Sequence, residues 1–169
     1  SCEYVDTIIV NVGHLDIDLG ADRFICYGES TQFIVDTISS PGNPPYQYQW
    51  VPSIGMNASN ISDPLFNPLD TQKYYLTITD VTLCEATDSI TINVNPQFKV
   101  SLDDSIFICN GDSAYFSVDT NVMPTYPPYN YLWLNEDSLS NPNGHATYAN
   151  PIDTTTYTVI VSDANNCTA

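Results

Sequence analysis

The residues of this chain best able to do chemistry are five cysteines, Cys2, Cys26, Cys84, Cys109 and Cys167, and their spacing narrows what that chemistry is. A zinc site gathers thiolates or imidazoles a few residues apart, whereas no two of these cysteines are closer than the 24 positions separating Cys2 from Cys26. Disulfide chemistry in an oxidising compartment is the remaining reading. The two histidines, His14 and His145, stand in no nucleophile or ligand motif, and glutamate is confined to Glu3, Glu29, Glu85 and Glu136. Nucleophile elbows, phosphate-binding loops and metal-binding histidine pairs are absent from the sequence. No catalytic, cofactor-binding or metal residues are therefore expected, and the chain reads as a non-enzyme. Asp16, Asp18 and Asp22, with Asp103 and Asp104 further on, offer hard oxygens of the kind calcium takes. An ordinary solvated acidic rim explains them equally well and is preferred, so the expected cofactor set is empty.

What positions the cysteines is a repeat. Cys26, Gly28, Phe33, Val35, Asp36, Thr37, Pro44, Pro45, Tyr46, Tyr48 and Trp50 recur, without a gap, 83 residues later as Cys109, Gly111, Phe116, Val118, Asp119, Thr120, Pro127, Pro128, Tyr129, Tyr131 and Trp133. Asn67, Asp70, Tyr74, Asp80 and Cys84 continue the register as Asn150, Asp153, Tyr157, Asp163 and Cys167. A third copy is present as its tail, since Cys2, Glu3, Asp6, Ile8, Asn11 and Val12 match Cys84, Glu85, Asp88, Ile90, Asn93 and Val94. A unit of this size can hold its own core, unlike the 20 to 45 residue repeats of solenoids. The expected organisation is residues 1–13 as the last strand of a preceding domain, 14–96 as a domain, and 97–169 as a domain lacking its last strand, to be completed by a strand from outside its own residues.

Strand signals dominate within each unit. Apolar residues alternate at Leu15, Ile17, Leu19; Phe33, Val35; Tyr46, Tyr48, Trp50; Tyr74, Leu76, Ile78; and Ile90, Ile92, Val94, each run bounded by Gly, Pro, Asn or Asp. Strands are expected at 15–20 (A), 30–37 (B), 46–51 (C), 73–80 (F) and 88–94 (G), with weaker pairing between about 54 and 67. The second unit repeats the pattern, including an A strand at Phe98, Val100 and Leu102. Period-two spacing and repetition make Trp50, Trp133, Tyr74 and Tyr157 core residues. The Pro-rich segments 39–45 and 123–128 read as loops at a sandwich end, where a ligand contact would fall.

Only Arg23, Lys73 and Lys99 are basic against 20 acidic residues, a net charge of −17. Such a surface repels phosphate backbones and anionic lipid, which excludes nucleic-acid binding. No apolar run approaches the ~20 residues of a membrane span, so no membrane insertion is expected.

These residues carry a resemblance. Ile-Cys-Tyr-Gly-Glu-Ser at 25–30, Tyr-Gln-Trp at 48–50, Asp-Thr-Gln-Lys-Tyr-Tyr-Leu-Thr-Ile-Thr-Asp at 70–80, Cys84 and Asp-Ser-Ile-Thr-Ile-Asn-Val at 88–94 resemble the PKD/Ig-like repeats of giant surface proteins in gliding and related Bacteroidota. Ile-Cys-Asn-Gly-Asp-Ser at 108–113, Tyr-Leu-Trp at 131–133 and Cys167 match again. The acidic, Gly-rich segment that often follows the Trp in PKD domains proper is replaced by Val51-Pro52-Ser53 and Leu134-Asn135-Glu136, so an Ig-like relative is expected. The resemblance implies an all-β fold of tandem seven-stranded Ig-like/PKD-like sandwiches arranged head to tail, export by the type IX system, and an extracellular, cell-surface or appendage location. It also brings a candidate O-glycan acceptor pattern, Asp followed by Ser or Thr, at Thr7, Thr37, Ser89, Ser105, Ser113, Ser138 and Thr154.

The disulfide pairing follows from the same analogy. In an Ig-type sandwich the A to B turn, holding Cys26 and Cys109, lies at the end opposite the F to G turn, holding Cys84 and Cys167. Seven residues of strand at ~3.3 Å already span about 23 Å, whereas disulfide Cα atoms sit roughly 4.4 to 6.8 Å apart. Cys26 is therefore expected to bond Cys167 of the neighbouring domain, with Cys2, Cys84 and Cys109 bonding units outside the chain. Together these readings describe a structural, load-bearing segment of an extracellular fibre, adhesin or appendage. Its expected partners are neighbouring repeats and lateral copies in a filament. The alternatives are a glycan- or protein-binding module using sandwich-end loops, and a passive spacer in a secreted enzyme.

Overall fold

Alternation of apolar and polar residues between Gly, Pro and Asn breakers yields an all-β chain. The structure, a computed structural model, describes residues 3–10, 12–35, 38–97, 99–119 and 126–169. It divides into two units, Ser1–Val94 and Asn95–Ala169. Among the described residues the helical element is a 3-10 turn at Glu136–Ser138.

The first unit holds β1 (Leu15–Ile17), β2 (Arg23–Cys26), β3 (Thr31–Gln32), β4 (Ile38–Pro41), β5 (Gln47–Val51), β6 (Leu65–Phe66), β7 (Gln72–Thr79) and β8 (Glu85–Asn95). Strands β2, β8, β7 and β5 form a four-stranded sheet in that order, while β1 pairs with β4 and β3 with β6. The β7–β8 ladder is antiparallel and long, running from Thr79 opposite Glu85 to Gln72 opposite Ile92. Both strands alternate, so Tyr74, Leu76, Ile78, Ile90 and Ile92 are all turned inward and fully buried. They pack in one core with Leu15, Ile17, Phe33 and Phe66 from the opposite elements, the layered construction of an Ig-like sandwich. Phe66 is its centre. Its ring lies 5.4 Å from Trp50, 6.3 Å from Phe33 and 4.6 Å from Tyr74, with edge-on or tilted geometry. Burying such a side chain contributes about 1.5–3 kcal/mol, and the edge-on pairs add to that.

Two expectations change here. The A strand anticipated at 15–20 is divided, because Gly20 takes a positive φ of 72° and its N–H is held by Asp18 Oδ1 at 2.8 Å. After that turn, β2 crosses to the other sheet and pairs with β8. The segment from Ser39 to Pro41, anticipated as loop, is strand, with Leu15 opposite Pro41. Loop chemistry begins only at Gly42.

The second unit holds β9 (Ala114–Ser117), β10 (Asn130–Leu134), β11 (Ala146–Ala149) and β12 (Thr158–Ser162). Strands β9 and β11 pair, and β10 pairs with β12 from Asn130–Ser162 to Leu134–Thr158. The A strand anticipated around Val100 and Leu102 is reduced to a single bridge, Ser101 to Asp119, and Phe98 lies outside the described residues. Residues 106–109, the counterpart of β2, form no strand. The reason is local: β2 is held by β8, and no strand stands in that place among the described residues of the second unit. Residues 3–10, anticipated as a strand, likewise join no ladder.

Candidate functional site: the turn cysteines and the flank of the second unit

Each cysteine sits in a turn whose backbone is fixed by a repeated polar residue. Asp80 brackets the β7–β8 turn. Its Oδ1 accepts the N–H of Thr82 at 2.8 Å, the N–H of Cys84 at 2.9 Å and the hydroxyl of Thr82 at 2.7 Å, while Oδ2 accepts the N–H of Asn43 at 2.9 Å. Asp163 repeats the bracket, with Oδ1 accepting the N–H groups of Asn165 at 2.9 Å and Cys167 at 3.0 Å. Its Oδ2 accepts from the Asn95 side-chain amide. Both carboxylates are buried. Burial alone would raise the Asp80 carboxyl, but the Thr82 hydroxyl and the Asn43, Cys84 and Thr82 amides outweigh it and hold it below the ordinary carboxylate value.

At the other cysteine turn, Glu29 N–H donates to the Cys26 carbonyl at 2.9 Å, and Cys26 N–H donates to the Glu29 carboxylate at 3.0 Å. Gly28 supplies the positive φ of 80° that this turn needs, as Gly111 does at 91° after Cys109. Asn67 clamps the turn from across the unit, its side-chain amide donating to the carbonyls of Gly28 at 3.1 Å and Glu29 at 2.7 Å. These brackets cannot be recognised from the residues taken one by one. Their signal in the sequence is recurrence, because Asp80, Asn67 and Gly28 all return in the repeat.

Cys26 and Cys167 are each disulfide-bonded. Cys84 is a half-buried free thiol and Cys109 an exposed one. Cys2 lies outside the described residues. Cys84 Sγ accepts a weak bond from the Thr82 hydroxyl at 3.6 Å, and Gly13 passes so close that an added Cβ would stand 2.9 Å from this sulfur.

Trp50 and Trp133 are buried at 1% exposure. Their indole N–H groups donate to equivalent carbonyls, Ile61 at 3.1 Å and Gly144 at 2.9 Å. Tyr74 is fully buried and donates its hydroxyl to the Ile54 carbonyl at 2.7 Å. Tyr157, its repeat, is only half-buried and shares a hydrogen bond with Ser138. Tyr48 and Tyr131 also correspond, each pushed up in pKa by burial first and by the neighbouring Tyr46 or Tyr129 second.

The acidic residues weighed for calcium serve the backbone. Asp16 Oδ1 accepts the Ile17 N–H at 3.1 Å, Asp18 that of Gly20, and Asp22 that of Thr91 at 2.8 Å. Asp103 and Asp104 lie along a cavity of the second unit. Among the described residues no group of three or more His, Cys, Asp or Glu is placed to hold a metal. His14 is exposed, and the His145 ring rests against Tyr131 at 6.2 Å. Of the candidate acceptor hydroxyls, Thr7, Ser105, Ser113 and Thr154 are on exposed residues, Ser89 is half-buried within β8, Ser138 is half-buried, and Thr37 lies outside the described residues. The anticipated contact loop 123–128 is described only from Tyr126 onward. No helix among the described residues is long and apolar enough to cross a membrane.

That cavity, of about 670 Å³, lies between residues 102–110 on one flank and 151–157 on the other, with Phe116, Trp133 and Ala149 also lining it. Its position matches the place of β8 in the first unit, between β2 and β7.

No protein-family model matches the sequence, and no curated protein matches it. Solved structures do. The N-terminal eight Ig domains of Down Syndrome Cell Adhesion Molecule align over 87% of this chain with a TM-score of 0.59 at 13% identity. The chain spans 25% of that structure. The insect immune protein hemolin aligns over 93% of this chain and 45% of its own, at 13% identity and a TM-score of 0.44. The D00-D0 domain of intimin aligns over 89% of this chain and 93% of its own, at 13% identity and a TM-score of 0.41. The first of these establishes an Ig-like fold.

Proposed function

We propose that this chain is a structural, load-bearing repeat segment of an extracellular fibre, adhesin or cell-surface appendage, without catalytic activity. The observation that carries the reading is the recurrence of a whole domain-sized unit, ungapped, with the same buried tryptophan and the same bracketed cysteine turns. Repeating a complete domain adds length and leaves chemistry unchanged, which suits a spacer under tension. The likeness to Ig-domain adhesion ectodomains supports the fold on which this depends. The Bacteroidota surface-protein origin and type IX export belong to the same proposal and rest on the resemblance in sequence.

The load is carried, in this proposal, across a staple from Cys26 to Cys167. Support comes from the state of the thiols, bonded at these two positions and free at Cys84 and Cys109. Single-molecule pulling between residues 1 and 169 tests it. With the bond intact, the chain between the two cysteines cannot extend, and the ~500 Å it would release at about 3.6 Å per residue is withheld. Added reductant restores two unfolding steps. Two full domain steps under oxidising conditions would refute the staple, and unfolding of both units at forces too low to resolve would refute the load-bearing role.

A further inference from the structure

The cavity of the second unit has the form of a strand-sized slot. In the first unit β8 fills this place, with Ile90 and Ile92 fully buried and Val94 8% exposed. In the second unit the corresponding strand is begun but not continued. Thr168 stands opposite Ser162, and Val161 and Ala169 exchange backbone hydrogen bonds of 2.9 Å in both directions. This is the register in which Thr79 and Ile78 meet Glu85 and Ala86. Backbone groups alternate sides along a strand, so the N–H and C=O of Val159 and Tyr157 point the same way as those of Val161. They face the slot, where no strand among the described residues meets them.

Residues 5–12 carry the sequence of the strand that would fit. Asp6, Ile8, Asn11 and Val12 repeat Asp88, Ile90, Asn93 and Val94 of β8. Their apolar side chains stand in water: Val5 is 89% exposed, Ile8 86%, Val10 77% and Val12 90%. One end of the molecule thus displays an apolar alternating segment without a sheet, and the second unit holds a sheet edge and an apolar slot without a strand. Each exposes what the other lacks, and an unpaired edge beside apolar surface is a template for strand addition.

We propose that residues 5–12 of a second copy of this chain insert antiparallel beside β12, between it and residues 106–109, and complete the second unit. Transferring the β7–β8 register places Ile8 opposite Tyr157, Asp6 opposite Val159 and Val10 opposite Thr155. Ile8, Val10 and Val12 then point into the cavity. The Asp6 carboxylate meets the Leu102 N–H, as the Asp88 carboxylate accepts the Leu19 N–H at 2.7 Å in the first unit. Thr168 and Ala169 already occupy the first two positions of the strand, which is why the insert begins at residue 5 rather than residue 3. Both copies carry a net charge of −17, so association strengthens as salt screens their repulsion. This inference does not depend on the load-bearing role, and its test leaves the disulfides untouched.

The test uses the whole 169-residue chain with its free thiols alkylated, so that thiol exchange cannot mimic assembly. Sedimentation velocity should show concentration-dependent dimers and longer species. A synthetic peptide of residues 3–12 should cap this growth and slow hydrogen exchange at the Val159 and Tyr157 amides by about tenfold or more. Ile8→Asp should abolish assembly while leaving the thermal midpoint unchanged, because Ile8 is exposed in the free chain. The same substitution in the peptide should abolish protection. A chain that stays monomeric and a peptide that protects neither amide would overturn the proposal, as would assembly that survives Ile8→Asp.

Discussion

The two units share a sequence frame and differ in how far that frame is closed. In the first, β8 lies along β7 and Phe66 fills the space between the layers; Tyr74 and Ile25 are buried as a result. In the second, Ala149 stands where Phe66 would be, β12 lacks most of the corresponding neighbour, and Tyr157 and Ile108 are only half-buried. Yet the tryptophan, its carbonyl acceptor and the aspartate bracket are the same in both. The turns and the tryptophan anchor are thus set within each unit, whereas sealing the core requires one further strand and one large side chain.

The largest expected effect breaks the first unit into the likeness of the second. Phe66→Ala should destabilise unit 1 by about 3–5 kcal/mol, since a buried aromatic is removed and three rings lose their common neighbour. Segment-resolved hydrogen exchange in denaturant would localise the loss to residues 15–94. The reciprocal change, Ala149→Phe, should stabilise unit 2 by about 0.5–2 kcal/mol by filling space beside Phe116 and Trp133. A loss of stability there would mean that the cavity is too tightly bounded to take a ring, and the comparison between the units would need another cause.

Much of this is legible in the sequence because the repeat itself marks the positions that matter. Period-two alternation places β5, β7, β8, β10 and β12 within a few residues. Strands that carry no such alternation stay hidden. Ser39, Ser40 and Pro41 look like a turn, yet form β4 because β1 offers them a ladder. Arg23 to Cys26 become a strand because β8 lies beside them, and the related Ile106 to Cys109 do not. The indole anchors are invisible for another reason: their acceptors are the backbone carbonyls of Ile61 and Gly144, which carry no mark of residue type. The slot can be anticipated only as a missing strand, and its substitution of Ala149 for Phe66 emerges only when the cores are set side by side.

A smaller effect tests the brackets through pH. The Asp80 carboxyl is held below its ordinary value in the folded chain, so the unfolded state binds the proton more readily. The stability it contributes is fully present above the unfolded carboxylate value of about 3.9 and is lost as pH falls through the lower folded value. Acid titration of unit 1 stability should therefore show a loss that Asp80→Asn removes, at the expense of a lower thermal midpoint at neutral pH. Asn keeps one acceptor for the Thr82 and Cys84 amides but places an N–H₂ group against the Asn43 N–H, or the reverse. If the acid profile of the variant is unchanged, Asp80 does not govern it.

The smallest effect on stability carries the sharpest distinction between the two units at their thiols. Cys109 is exposed beside the open slot, in the turn equivalent to that of bonded Cys26, and Cys109→Ser should change stability by no more than about 0.5 kcal/mol. Cys84 is half-buried, with Gly13 packed near its sulfur and the Thr82 hydroxyl donating to it. Thiol reactivity follows access and thiolate fraction, so a maleimide should label Cys109 first and Cys84 more slowly, with Cys26 and Cys167 unlabelled until reductant is added. Peptide mass mapping over a time course separates all four. If the peptide of residues 3–12 fills the slot, labelling of Cys109 should slow, because the inserted strand lies against residues 106–109, while Cys84 in the closed first unit should label at its former rate. Equal slowing at both thiols would indicate that the peptide does not discriminate the open unit from the closed one.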